Sequence, residues 1–121
     1  MTINSAPVQA AGLAAAVSLF RGLADPTRLA IVQHLAAGEA RVVDLTRQLA
    51  LAQSTVSGHL ACLRDCGLVA ARPEGRQMFY SLARPELAGL LSAAERLLEA
   101  TGWQVALCPA YGTGANVTGA R

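Results

Sequence analysis

The sequence predicts a mainly α (α+β) winged helix-turn-helix domain, with about five helices and one β-hairpin wing. Three observations predict it. Two short segments with helical apolar spacing, Val42 to Ala50 and Ser54 to Gly67, meet at a tight turn, Leu51-Ala52-Gln53. Two β-prone runs, Leu68 to Arg72 and Gln77 to Leu82, flank Pro73-Glu74-Gly75-Arg76, which carries the Pro and Gly of a hairpin turn. Longer helical patterns enclose both, in a chain of 121 residues, long enough for one domain with one core.

Taken in order, residues 1–7 are polar and lack a cap, which predicts a disordered N-terminal tail. An alanine-rich helix then runs from about Val8 to Arg21, with Leu13, Val17 and Phe20 on one face. Asp25-Pro26 is a helix start, with Asp25 as N-cap and Pro26 at the first helical position, where a missing N–H costs nothing. That helix runs to Ala37 on a buried stripe of Leu29, Val32 and Leu35, with Ile31 beside them, and Gly38 supplies a left-handed stop. Val42, Leu45 and Leu49 pattern the next helix, and Ser54 is the expected cap of a helix carrying Val56, Leu60 and Leu63. After the wing, Pro85 opens a last helix to about Ala100, with Leu87, Leu90, Leu91, Ala94, Leu97 and Leu98 as a broad apolar stripe, and Gly102 ends it. Residues 8–101 are therefore expected to form the DNA-binding and dimerisation domain. Residues 102–121 form a tail pinned through Trp103, Leu107 and Cys108 and loose after Tyr111.

Apolar residues make up 53% of the chain and charged residues 15%, a balance that excludes intrinsic disorder and points to an oligomer that hides surplus apolar surface. Arg21, Asp25 and Arg28 interrupt the first apolar segment before it reaches membrane-spanning length, and no basic leader precedes it. A cytoplasmic protein with reduced thiols and no membrane partner is expected. The net charge is only +2, and every basic residue is arginine. Five arginines lie between Arg41 and Arg76 against Asp44, Asp65 and Glu74, which places the expected nucleic-acid face there.

A helix in the major groove meets base edges with its first turns, so short hydrogen-bonding side chains are wanted there. Gln53, Ser54, Thr55, Ser57 and His59 stand at those positions, with Gly58 allowing close backbone approach. Arg72 and Arg76 on the wing are placed to grip phosphates or enter a minor groove. The plainer alternative is that Ser54 and Thr55 only cap the helix and His59 is solvated.

The three cysteines are Cys62, Cys66 and Cys108. Cys62 and Cys66 are four residues apart on a helix, which brings their Cβ atoms to about 6 Å, close enough to share one ion. A third sulfur from Cys108 would complete a three-thiolate site, suited to Cd(II), Pb(II) or As(III) more than to Zn(II), which usually takes four ligands. The same residues also suit two other roles, small buried hydrophobes or a thiol redox pair. His34 and His59 have no partner at ligand spacing, and no base stands at a recognisable spacing from any cysteine, which argues against an enzyme.

Across residues 13–108 the chain resembles the ArsR/SmtB metalloregulatory repressors. The resemblance is carried by LADPTRLAIVQHL at Leu23 to Leu35, QSTVSGHLACLRDCGLV at Gln53 to Val69 and EGRQMFYSL at Glu74 to Leu82. It implies a homodimer built on the first and last helices, bound to the double-stranded operator of a metal-resistance or efflux operon until an inducer relieves repression. Ala50 departs from the family pattern, in which this turn usually carries Gly. The run HLACLRDC followed by a tail cysteine is similar to the CmtR-type cadmium and lead sensors, which implies Cys62, Cys66 and Cys108 as ligands, with Cys108 lent by the partner protomer. Other sites of the family lack their residues: Ala40-Arg41-Val42-Val43 holds no Cys-x-Cys, and Pro85 to Ala100 holds no histidine. The expected function is a metal-free repressor that dissociates on Cd(II) or Pb(II), with arsenite-responsive and thiol redox-sensing repressors as alternatives.

Overall fold

The computed structural model describes residues 6–107. Helix α1 spans Ala6–Leu23, α2 Pro26–Ala37, α3 Val42–Leu49, α4 Gln53–Asp65 and α5 Glu86–Ala100. Strands β1 (Ala40–Arg41), β2 (Val69–Glu74) and β3 (Gln77–Leu82) form one antiparallel sheet in the order β1-β3-β2. This is a winged helix-turn-helix, as the sequence predicts. The helix α1 starts two residues ahead of the expected Val8, and residues 1–5 lie outside the described residues.

Asp25 caps α2 as expected, its carboxylate accepting the backbone N–H of Arg28 at 3.0 Å, with Pro26 opening the helix. Gly38 ends α2 at φ 155° and ψ 168°, which is not the left-handed helical stop expected but a region of backbone space that is essentially glycine's alone. Ala40 and Arg41 then pair with Tyr80 and Phe79, adding a short strand that two residues of sequence could not announce. Arg41 and Asp44 fasten the start of α3: Asp44 Oδ2 accepts the Arg41 backbone N–H at 2.9 Å, and the two side chains pair at 2.8 and 3.0 Å.

Two boundaries differ from expectation. The helix α4 begins at Gln53 with Ala52 as its N-cap, so Ser54 lies inside the first turn and caps nothing. In the wing, Pro73 belongs to β2, paired with Met78, and the turn contracts to Gly75-Arg76 between the paired Glu74 and Gln77. Pro73 is tolerated because β2 is an edge strand, where one absent N–H breaks no ladder. Gly75 sits at φ 64°, which a tight two-residue hairpin requires.

The core gathers Ile31, Val32 and Leu35 of α2, Leu45 of α3, Val56, Leu60 and Leu63 of α4, and Leu87 and Leu91 of α5. Leu29, expected within the α2 stripe, only packs against the edge of this core. Leu97, expected in the α5 stripe, is 67% exposed, and Leu13, Val17 and Phe20 line an exposed face of α1. The chain from Trp103 turns back over the helices, where Gln33 donates to the Ala106 carbonyl at 2.7 Å and the Leu107 N–H is accepted by Glu95.

Between α3 and α4, Ala50 is left-handed at φ 55° and ψ 46°, the one non-glycine residue with positive φ among those described. A Cβ is strained there, whereas glycine enters this region freely. Ala50→Gly is therefore expected to raise stability by about 1 kcal/mol in denaturant unfolding, because relief of strain outweighs the added freedom of the unfolded chain.

Candidate functional site

The helix-turn-helix consists of α3, the Ala50–Ala52 turn and α4, and burial of Val56, Leu60 and Leu63 against the core sets the rotation of α4. Gln53, Ser54, Thr55, Ser57 and Gly58 are consequently all exposed. No side chain caps the helix, so its first N–H groups are open to an acceptor from outside, and a helix N-terminus favours an anion. Short polar side chains, free backbone donors and a favourable helix dipole thus coincide at one end of α4.

His59 is placed differently from the expected base-reading role. Its ring is 23% exposed, with Nδ1 3.3 Å from the Arg28 guanidinium and 3.8 Å from the Asp25 carboxylate. Arg28 also donates to the carbonyls of Gly22 at 2.8 Å and Arg21 at 3.1 Å. His59 therefore joins the recognition helix to the α1–α2 corner. The Arg28 backbone N–H is the main cause holding the Asp25 carboxyl below its ordinary range, with the neighbouring charges of His59 and Arg28 acting the same way.

Arg72 is likewise engaged within the protein. It pairs with Glu39 at 2.7 and 2.8 Å and with Glu74 at 2.5 Å, and its guanidinium lies 5.0 Å from the centre of the Phe79 ring. Two carboxylates offset one positive charge, so the expected phosphate grip of Arg72 is largely spent on holding the wing to the α2–β1 connection. Glu39 lies thirty-three residues upstream, too far in sequence for a local charge pattern to reveal. Arg76 stands at the hairpin tip, exposed and without an ion-pair partner among the described residues.

Cys62 and Cys66 lie in the C-terminal half of α4, both half-buried and both free thiols. Cys66 is the helix C-cap, and its N–H bonds to the Cys62 carbonyl at 3.1 Å, so the two cysteines are one helical turn apart. Two thiols at this spacing suit a soft ion as two members of a sulfur set. Cys108 lies outside the described residues, and among those described no three His, Cys, Asp or Glu side chains gather as a metal set.

The model of the family described as bacterial regulatory protein, arsR family, matches residues 25–71, which run from the α2 cap through the helix-turn-helix into β2. A solution structure of a homodimeric winged helix-turn-helix DNA-binding domain from Mycobacterium bovis, described as a possible ArsR-family transcriptional regulator, superposes with a TM-score of 0.73 at 30% identity, covering 82% of this chain and 91% of that one. The chain belongs to the ArsR family. Among curated members, it is 51% identical over 73 residues to the transcriptional regulator CmtR of Mycobacterium bovis, covering 60% of this chain and 62% of that protein. It is 42% identical over 78 residues to a probable mercury resistance operon repressor of Streptomyces lividans, covering 64% and 62%. The matched stretch thus spans less than two thirds of the length of each of these two relatives. No described helix is long and apolar enough to cross a membrane.

The ion pairs make stability depend on pH with a definite sign. The Arg72 side chain holds the Glu39 carboxyl below its ordinary value of 4.5, so the stabilisation from this pair is fully present above that value and is lost as pH falls through and below it. Glu39→Gln is expected to flatten the decline of stability between about pH 5 and pH 3, measured by denaturant unfolding at stepped pH.

Proposed function

We propose that the chain is a transcriptional repressor that works in the cytoplasm, binds operator DNA as a homodimer in the metal-free state, and dissociates when Cys62, Cys66 and Cys108 capture Cd(II) or Pb(II). The observation that carries this reading is the division of α4: polar residues are exposed at its uncapped N-terminal end, and two free thiols lie one turn apart at its C-terminal end. DNA reading and metal sensing then share one rigid element. The mercury-resistance and CmtR relatives support a regulator of this kind. The exposed apolar faces of α1 (Leu13, Val17, Phe20) and α5 (Leu97) support dimerisation through the first and last helices.

In this reading Gln53, Ser54, Thr55, Ser57 and Gly58 meet the base edges and adjoining backbone, Arg76 reaches phosphate or the minor groove, and His59 and Arg72 hold the reading elements in place. A soft ion, when bound, would cross-link the three thiolates. Full release asks for about 5 kcal/mol of bias between the two states, and couplings of about 1 to 3 kcal/mol per site supply about 2 to 6 when two sites act on one dimer, enough at the upper end of that range.

Arg76→Ala should lower the slope of log affinity against log salt by about 2, one phosphate contact from each protomer of the dimer, whereas Arg72→Ala should leave that slope unchanged, its charge being already paired. Fluorescence anisotropy on operator DNA across a salt series reads both.

Titration of the reduced protein with Cd(II), followed in the near ultraviolet, is expected to give a thiolate charge-transfer band that saturates at one ion per protomer and weakens in Cys108→Ser. Operator release by Cd(II) and Pb(II) but not by peroxide is expected from the same samples. Release by arsenite alone would instead establish the arsenite-responsive alternative, and release by peroxide in metal-free buffer the thiol redox one. Affinity should fall as pH drops, because capture displaces thiol protons.

A further inference from the structure

The last turn of α1 meets the C-terminal end of α4 at an unusually close point. A Cβ built on Gly22 would stand 2.9 Å from the Cys66 Sγ, 3.6 Å from its Cβ and 3.7 Å from Leu68 Cδ1. Real Cβ atoms essentially never approach at the first of these distances, so the sulfur occupies the space that any other residue at position 22 would claim. The same sulfur lies 3.9 Å from the Ser18 carbonyl oxygen, one helical turn earlier, where a thiol can act as a weak donor. Ser18 and Gly22 together make a seat for this thiol on α1. Gly22 lies in the last turn of a helix, where glycine is a poorer helix former than alanine, and the close approach of Cys66 is a packing reason for its presence.

The same end of α1 is also held from the other half of α4. Arg28 bonds the Arg21 and Gly22 carbonyls and reaches His59, two helical turns before Cys66. The recognition helix is therefore fastened to α1 at two points, a guanidinium link near its reading end and a sulfur in its seat near its sensing end.

We infer that Gly22 is a positioning residue for Cys66: by lacking a Cβ it seats the Cys66 thiol against α1 and holds α4 in its metal-free arrangement, and Cys66 leaves that seat when it takes a soft ion. The inference rests on the metal reading proposed above and names the contact through which that reading acts. With Sγ this close to α1, the space between sulfur and helix holds no ion. An ion shared with Cys62 draws the Cys66 sulfur out of this seat, and α4 then keeps the Arg28–His59 link and the core packing around Leu23 as its hold on α1. Since α1 carries the exposed apolar face proposed for dimerisation, release at this point alters how each reading helix is held relative to the dimer.

The test is Gly22→Ala. The atom it meets is the end of a side chain that can rotate, so the fold is expected to survive, checked by circular dichroism and denaturant unfolding. In metal-free protein, alkylation followed by mass spectrometry should show Cys66 reacting several-fold faster than in the natural chain, with Cys62 unchanged. Operator affinity without metal should fall and Cd(II) affinity should rise, since loss of the seat shifts the population from the metal-free arrangement toward the ion-binding one. General damage to the fold would lower both affinities together and would overturn the inference. An unchanged Cys66 alkylation rate would overturn the seat itself, whatever the metal does. Absence of a thiolate band in the natural chain would overturn the metal reading, a different observation in a different sample.

Discussion

One constraint orders the rest of this molecule: α4 must bury Val56, Leu60 and Leu63 completely, and in a helix of this length that choice decides the direction of every other residue. The buried stripe sets the polar residues of the first two turns outward. It also leaves Cys62 and Cys66 at the margin of the core, half-buried, shielded enough to be specific and open enough to be reached. Packing by α2, α3 and α5 therefore supports a single helix with exposed polar residues at one end and two free thiols at the other.

The charges follow a similar economy. Of the arginines near the reading face, Arg41 is paired with Asp44, Arg72 with Glu39 and Glu74, and Arg28 with two carbonyls and His59. Arg41 and Arg72 thus hold elements in register, while Arg64 and Arg76 are exposed without an ion-pair partner among the described residues. A net charge of only +2 adds little long-range attraction for a polyanion, so binding of DNA in the proposed reading would depend on shape and base contacts.

Much of this was legible in the residues. Asp25-Pro26, the Leu45 and Val56–Leu60–Leu63 spacings and the Gly75 turn each have a local physical cause, and the elements they predict are present. The misses share a different cause. Ser54 is displaced as cap because the turn geometry at Ala50 lets the helix begin two residues earlier, a matter of backbone angles that residue type does not show. The strand β1 exists only because β3 lies beside it, and Arg72 and His59 are occupied by partners from α2 and its flanks, thirty or more residues away. Spacing within one helix brought Cys62 and Cys66 together on paper; the Gly22 seat depends on two helices meeting, and no pattern within either announces it.

Pro73 has a consequence beyond the shape of the wing. A chain that is 53% apolar, with one long sheet edge facing solvent, would ordinarily be at risk of adding strands from its neighbours. Pro73 offers no N–H along that edge, and the charged side chains of Arg72 and Glu74 flank it, while the opposite edge is only two residues long. Edge-to-edge growth into aggregates is thereby opposed on both sides of the sheet.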